Sequence, residues 1–195
     1  MRFATVICAA GGGSRMGQPK ALCRLRSDET FLSSIVSSIQ SVGLPSQIIV
    51  VVGAKSRQII QSHASLAVTW VENQAWASTH MLDSLLCGLR AIQTSCPCPV
   101  LHWPVDCIGV RSVDVRHLLE APDTPFCALA HHGVPGHPVR ISSDTVSWLL
   151  EHAHRYQSLR DILAHRSCSY VEAHKEVLTN CNDPNSLSDF IAHKP

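Results

Sequence analysis

Residues 5–22 read Thr5-Val6-Ile7-Cys8-Ala9-Ala10-Gly11-Gly12-Gly13-Ser14-Arg15-Met16-Gly17-Gln18-Pro19-Lys20-Ala21-Leu22. The opening Thr5-Val6-Ile7-Cys8 is an apolar, strand-like segment, and it runs directly into glycines. Consecutive glycines let backbone N–H groups turn toward an anion with no Cβ in the way. Arg15 adds a planar guanidinium suited to phosphate oxygens, and Lys20 adds a mobile point charge. A strand feeding a basic glycine loop is the pattern of a nucleotide-phosphate loop.

Two familiar motifs do not fit. A Walker loop needs Gly-x-x-x-x-Gly-Lys-Ser/Thr, but Gln18 follows Gly17 and Lys20 comes too late. The dinucleotide fingerprint needs a third glycine where Met16 stands. Residues 9–22 instead resemble the signature of the MobA-like nucleotidyltransferases, closest to the molybdenum cofactor cytidylyltransferases. That signature reads Leu/Thr-Ala-Ala-Gly-x-Ser-x-Arg-Met-Gly-x-x-Lys-x-Leu-Leu. The resemblance implies an α/β, Rossmann-like nucleotidyltransferase fold with a mostly parallel central sheet flanked by helices. It also implies Mg²⁺ as the metal, CTP and the molybdopterin cofactor as substrates, and a recipient apo-molybdoenzyme as a further partner.

The bulk properties agree with one compact domain over residues 1–195, since 45% of the residues are hydrophobic and the length allows a sizeable core. A formal charge of +1 gives no support for nucleic-acid or membrane-surface binding, which usually show a basic excess. No apolar run approaches the ~20 residues of a membrane span. The start, Met1-Arg2-Phe3-Ala4-Thr5-Val6-Ile7-Cys8-Ala9-Ala10, lacks the apolar length of a signal peptide and reads as the first buried strand of a cytoplasmic protein.

Nine cysteines are many for 195 residues, but an odd number without a secretory signal argues against a disulfide framework. Cys8, Cys87 and Cys127 sit in apolar segments, where a thiol behaves as a small hydrophobe. Cys96-Pro97-Cys98 has one residue between its thiols rather than the two usual for zinc or redox pairs. His131, His132, His152 and His154 lack cysteine partners at zinc-finger spacing.

Along the chain, apolar runs alternate with helical patterns. Ile48-Ile49-Val50-Val51-Val52 reads as a parallel strand buried on both faces. Pro99–Trp103 and Phe126–Ala130 are weaker examples. Phe31, Ile35, Ile39 and Val42 mark one helix, with Thr30 as cap and Gly43 as stop; Leu82, Leu85, Leu86, Leu89 and Ile92 mark another. Such alternation predicts a mostly parallel sheet covered by helices.

Asp106, in Trp103-Pro104-Val105-Asp106-Cys107, follows a predicted strand end, where open α/β sheets gather their ligands. Alone it reads equally as a loop aspartate opening a turn; the upstream glycine loop favours a role on a hard cation that also holds phosphate. The family carries a Pro-x-Asp segment at this position, with its aspartate on the metal. Asn180-Cys181-Asn182-Asp183-Pro184-Asn185 resembles the family's closing segment, which places Asn182 as the second metal residue; ordinary turn and helix-start chemistry remains open there.

The resemblance further assigns Ala9, Ala10, Gly11, Gly12, Gly13, Ser14, Arg15, Lys20, Asn73, Ser84 and Asp106 to the nucleotide, with Arg15, Lys20 and Asp106 catalytic. Gly133–Val139 matches its Gly-His-Pro-Val turn, so Gly136 and His137 border the second-substrate pocket. The block from Asn73-Gln74-Ala75-Trp76 to Met81-Leu82-Asp83-Ser84-Leu85 departs from the family by one extra residue and by His80, where glycine is usual. Ala10 favours a pyrimidine, because guanylyltransferase relatives carry Leu-Ala-Gly-Gly. This does not separate CTP from UTP. Sugar- or polyol-phosphate cytidylyl- and uridylyltransferases, and a cofactor-binding chaperone for molybdoenzymes, are the competing readings.

Overall fold

The computed structural model describes residues 2–93 and 97–193. Met1 of the N-terminal segment and Cys96 of the Cys96-Pro97-Cys98 spacing lie outside them. The strands are β1 (Phe3–Ala9), β2 (Ser46–Val52), β3 (Thr69–Glu72), β4 (Val100–Pro104), β5 (Phe126–His131), β6 (Val134–Ile141) and β7 (Cys168–Glu172). They form one seven-stranded sheet in the order β3-β2-β1-β4-β6-β5-β7. All pairings are parallel except those of β6, which runs antiparallel to both β4 and β5.

β1 lies between β2 and β4, and every residue from Phe3 to Ala9 is buried. That is why its sequence is continuously apolar rather than alternating. Phe3, Ile7 and Ala9 point into one half of the core, with Trp103, Leu101 and Val50. Ala4, Val6 and Cys8 point into the other, with Ile49, Val51 and Val100.

Helix α1 (Phe31–Gln40) covers the first face together with α2 (Ser56–Ser62) and α4 (Ser112–Glu120). Its start is the predicted one: the Thr30 hydroxyl accepts from the Ser33 N–H, and the Ser33 hydroxyl returns a bond with the Thr30 backbone. Gly43, in the left-handed region, turns the chain after it. Helices α3 (Met81–Arg90), α5 (Ser143–His152) and α6 (Leu159–His165) cover the second face, and α7 (Pro184–His193) closes the described chain. The helix α3 lies close on the sheet because Gly88 faces it; a Cβ there would overlap Val6.

The Gly-His-Pro-Val segment is not a turn. Gly136, His137, Pro138 and Val139 lie within β6, and the turn is made just before that strand, by His132 and Gly133 in left-handed backbone. Val139 pairs with His102 of β4 and with Ala128 of β5. Pro135 and Pro138 have no N–H to give a ladder, which hides the strand from its sequence.

Candidate active site

The site forms where β1 and β4 end side by side, with Cys8 opposite Pro104. Beyond β1 the glycine loop leaves the sheet. Gly13 adopts the left-handed region, and a Cβ there would overlap the Gln18 carbonyl oxygen, so this position admits only glycine without moving the loop. Gly13 stands where the family signature has serine, and Ser14 follows one place later. Two short 3₁₀ turns come next. Ser14–Met16 carries Arg15 and ends at Gly17, also left-handed; Lys20–Leu22 follows Pro19 and begins with Lys20 itself.

Beyond β4 the chain turns tightly. The Val105 N–H donates to the Cys8 carbonyl (3.1 Å), the Cys107 N–H donates to the Pro104 carbonyl (3.0 Å), and the Trp103 indole N–H donates to the Cys107 carbonyl (2.8 Å). This turn presents the Asp106 carboxylate, only 10% of whose side-chain surface is exposed, to the glycine loop. The Lys20 ammonium lies 2.5 Å from Asp106 Oδ2 and 2.5 Å from Asn182 Oδ1. Arg15 reaches the same Asn182 oxygen at 3.2 Å. Three segments distant in sequence therefore meet at one point.

These groups line a cavity of about 210 Å³ together with Gly11, Gly13 and Ser14 of the loop and with Cys8, Met81 and Val105. Met81, half-exposed at the start of α3, together with Cys8 and Val105, was not singled out by sequence for this role. The positions of Cys8 and Val105 follow only from the register of β1 with β4. Gly12 does not line the cavity, and the edge of the Trp76 indole lies beside it.

Asp106 Oδ2 and Asn182 Oδ1 already converge on one cation, the ammonium. One carboxylate and one amide oxygen are a hard donor set, of the size that suits a Mg²⁺-like ion keeping part of its water and taking phosphate oxygens for the rest. The residues present therefore fit such an ion. Among the described residues no group of three or more His, Cys, Asp or Glu gathers to hold a metal, at this cavity or away from it.

The thiols around Asp106 are held protonated. Burial pushes Cys107 well up, helped by the neighbouring carboxylate, and the same two causes push Cys181 up to about 11. Cys8, fully buried, is raised by desolvation. None is a thiolate nucleophile.

Asn73 and Ser84 lie together and buried. The Asn73 amide N–H donates to the Ser84 hydroxyl (3.1 Å) and to the Thr79 hydroxyl (3.0 Å), and its oxygen accepts from the Ala75 N–H (3.1 Å). The pair ties the loop bearing Trp76 to α3. Ala9 and Ala10 are buried at the end of β1, and the Ala10 carbonyl accepts from the Ala54 N–H at 3.0 Å. Gly136 packs against the Val177 carbonyl. His137, half-buried, sets its ring edge-on to His102, with centroids 5.8 Å apart.

A mostly parallel sheet whose central strands β1 and β4 deliver a basic glycine loop and a carboxylate to neighbouring strand ends has its cavity where open α/β folds bind ligands. The chain belongs to the MobA-like NTP transferase domain family, whose model matches residues 5–176. No curated protein matches the sequence. Among solved structures, a nucleotidyl transferase from Methanothermobacter thermautotrophicus superposes with a TM-score of 0.81 at 23% identity, covering 98% of this chain and 96% of that one. Rv0371c from Mycobacterium tuberculosis, in complex with manganese, gives a TM-score of 0.75 at 18% identity, covering 99% and 100%. CMP:2-keto-3-deoxy-manno-octonic acid synthetase complexed with CTP gives 0.74 at 14% identity, covering 98% of each chain. At these identities the likeness is one of fold. Among the described residues no helix is long and apolar enough to cross a membrane.

Proposed function

We propose that the protein transfers CMP from CTP to the terminal phosphate of the molybdopterin cofactor and releases pyrophosphate. The observation that carries the nucleotidyl-transfer part is the convergence of Lys20, Asp106 and Asn182 beside the glycine loop, with the Lys20 ammonium 2.5 Å from an oxygen of each of the other two. The identity of the acceptor rests on the sequence signature of the loop and on the Gly-His-Pro-Val segment.

A phosphate-monoester oxygen of the acceptor attacks the α-phosphorus of CTP. A new P–O bond forms while the bond to the β-phosphate oxygen breaks, and pyrophosphate leaves. The acceptor phosphate, with a second pKa of ~6, is largely dianionic at neutral pH, so no side chain has to take a proton. The protonated thiols around Asp106 agree with chemistry that needs no base. What remains is alignment and charge neutralisation. Arg15 and Lys20 hold the triphosphate oxygens, and the amides of Gly11, Gly12, Gly13 and Ser14 border them. Asp106 and Asn182 hold a divalent cation, Mg²⁺ in this reading, which when bound neutralises phosphate charge. Asn73 and Ser84 support the nucleotide side by fixing the Trp76 loop, and Gly136 and His137 border the acceptor.

A second reading has a specific observation behind it: the CTP-bound structural neighbour is a synthetase whose product is a sugar acid conjugate. The deciding experiment offers each NTP with Mg²⁺ to the protein, with molybdopterin, a sugar phosphate or a sugar acid as acceptor, and follows pyrophosphate. Release with CTP and molybdopterin alone is the expected result. Release with a sugar acceptor instead replaces the acceptor assignment, and no release with any pair removes the catalytic reading in favour of a carrier.

A further inference from the structure

The two oxygens assigned to the divalent cation are the two that Lys20 occupies: its ammonium lies 2.5 Å from Asp106 Oδ2 and 2.5 Å from Asn182 Oδ1. An ammonium and a metal ion cannot both sit between these two oxygens, because they would occupy the same space and repel at this range. We propose that Lys20 is a built-in stand-in for the metal, filling the cation position while no nucleotide is bound, and that the triphosphate draws it away so that the metal enters only together with the nucleotide. The inference rests on the nucleotidyl-transfer reading above and assigns Lys20 a second task within it.

Each part of the exchange has a physical cause. The Asp106 side chain is 10% exposed, and a carboxylate so far from water needs a positive partner in every state of the protein. Without nucleotide, Lys20 is that partner. Its flexible four-carbon stem and compact ammonium allow it to change partners at small cost, and its side chain is still 20% exposed toward the cavity. A triphosphate brings several negative charges to the amides of the glycine loop, within reach of the same ammonium. The protein alone offers a free metal ion two oxygens and a competing cation. Bound phosphate offers more oxygens and removes the competitor. The site thereby selects a metal–nucleotide pair over the free metal.

Mn²⁺ binding tests this without turnover, by the loss of the free-ion electron paramagnetic resonance signal on titration with protein. Wild-type protein, Lys20→Met and Lys20→Arg are compared without nucleotide, with thermal melts as the check on folding and Lys20→Gln as a second neutral variant. Wild type and Lys20→Arg should take up Mn²⁺ weakly. Lys20→Met and Lys20→Gln should take it up at least about tenfold more tightly, since a unit charge has left the donor pair. The gain should vanish in Lys20→Met combined with Asp106→Asn. Equal affinities in the neutral variants and wild type, or a gain that survives Asp106→Asn, overturn the proposal. A parallel titration of wild type with CTP and Mn²⁺ separates the two levels. If the pair binds while the neutral variants show no gain, only the stand-in role falls. If CTP does not bind with or without Mn²⁺, the nucleotidyl-transfer reading falls as well.

Discussion

The backbone N–H of Cys181 donates to the carbonyl oxygen of Asp106 at 2.9 Å, and this bond fastens the last segment of the chain to the turn after β4. Its consequence is the placement of Asn182. The family model matches residues 5–176, so a residue beyond the matched region supplies one of the two oxygens that hold Lys20. The ordinary reading of Asn182-Asp183-Pro184 is also true: Asp183 accepts from the Ser186 N–H at 2.9 Å and starts α7 at Pro184. A helix start and a partner of Lys20 share one short stretch.

Asn182→Ala should therefore raise the metal concentration needed for half-maximal rate and lower turnover, by about tenfold or more, the scale of a lost hydrogen bond to a charged group. Asn182→Asp keeps an oxygen in place and should retain activity. Initial rates across a metal titration decide it; an unaltered titration curve for Asn182→Ala would remove this residue from the site.

The glycine loop was legible in the sequence because phosphate chemistry demands particular residue types at particular spacings, and few other pressures produce them. β1, β2, α1 and α3 were legible because burial on both faces, or a cap followed by helical spacing, leaves a pattern in hydrophobicity. β6 was not, since Pro135, Gly136 and Pro138 read as breakers and only the neighbours β4 and β5 make a strand of them. Asn73 and Ser84 stand out in the sequence through the family's block, but neither lines the cavity, and that they bond to each other depends on how the loop packs on α3. The meeting of Lys20, Asp106 and Asn182 joins three distant segments and becomes visible only with the fold.

Arg15→Ala and Lys20→Ala should each cut turnover by orders of magnitude while the protein stays folded. Fixed positive groups facing developing phosphate charge are typically worth about 3 kcal/mol or more each. Arg15 is exposed, so its loss leaves no buried group unpaired. Steady-state rates together with circular dichroism check this, and near-wild-type rates in both variants would sink the phosphate-loop assignment.

CTP should outcompete GTP, and Ala10→Gly should weaken that preference. Ala10 is buried at the root of the loop, its carbonyl tied to the Ala54 N–H, so its methyl is packed in a fixed place rather than meeting solvent, and the preference rests on the family's Ala-Ala-Gly start. Competition between labelled CTP and unlabelled GTP measures the ratio. Preference for GTP in the wild-type protein makes this a guanylyltransferase instead.

His102 gives the protein an acid-sensitive core. Burial holds its imidazole down at about 3, from an ordinary 6.5, and neither ring nitrogen has a hydrogen-bond partner among the described residues. His137 beside it is lowered too, chiefly by burial, with the Asp106 charge opposing. In the unfolded chain His102 takes a proton as pH falls through 6.5, while the folded ring stays neutral until about 3. The stability associated with the neutral ring is thus complete above that upper value and is lost progressively as pH falls toward the lower one. The thermal midpoint should drop between about pH 7 and about pH 5, and His102→Leu should flatten the drop. Parallel slopes for the two proteins would exclude His102 as the cause.

Asp106→Asn separates a catalyst from a passive carrier. The change keeps the shape of the side chain and an oxygen that can still accept from Lys20, but removes the negative charge that both the ammonium and a divalent cation require. The fold should survive. Asn182 still holds the ammonium, Lys20 retains solvent exposure, and a loss of about 1 kcal/mol would shift the thermal midpoint by only ~2–4 °C in a chain of this size. Catalysis should not survive at ordinary Mg²⁺ levels, and raised Mg²⁺ or Mn²⁺ should restore part of the rate, because mass action offsets a weakened site. A carrier would bind its cofactor equally well with either residue and release no pyrophosphate. Pyrophosphate release and thermal unfolding measured on the same preparation give the answer: metal-dependent activity unchanged from wild type takes Asp106 out of the site, whereas loss of activity with the fold intact and partial rescue by metal keeps it there.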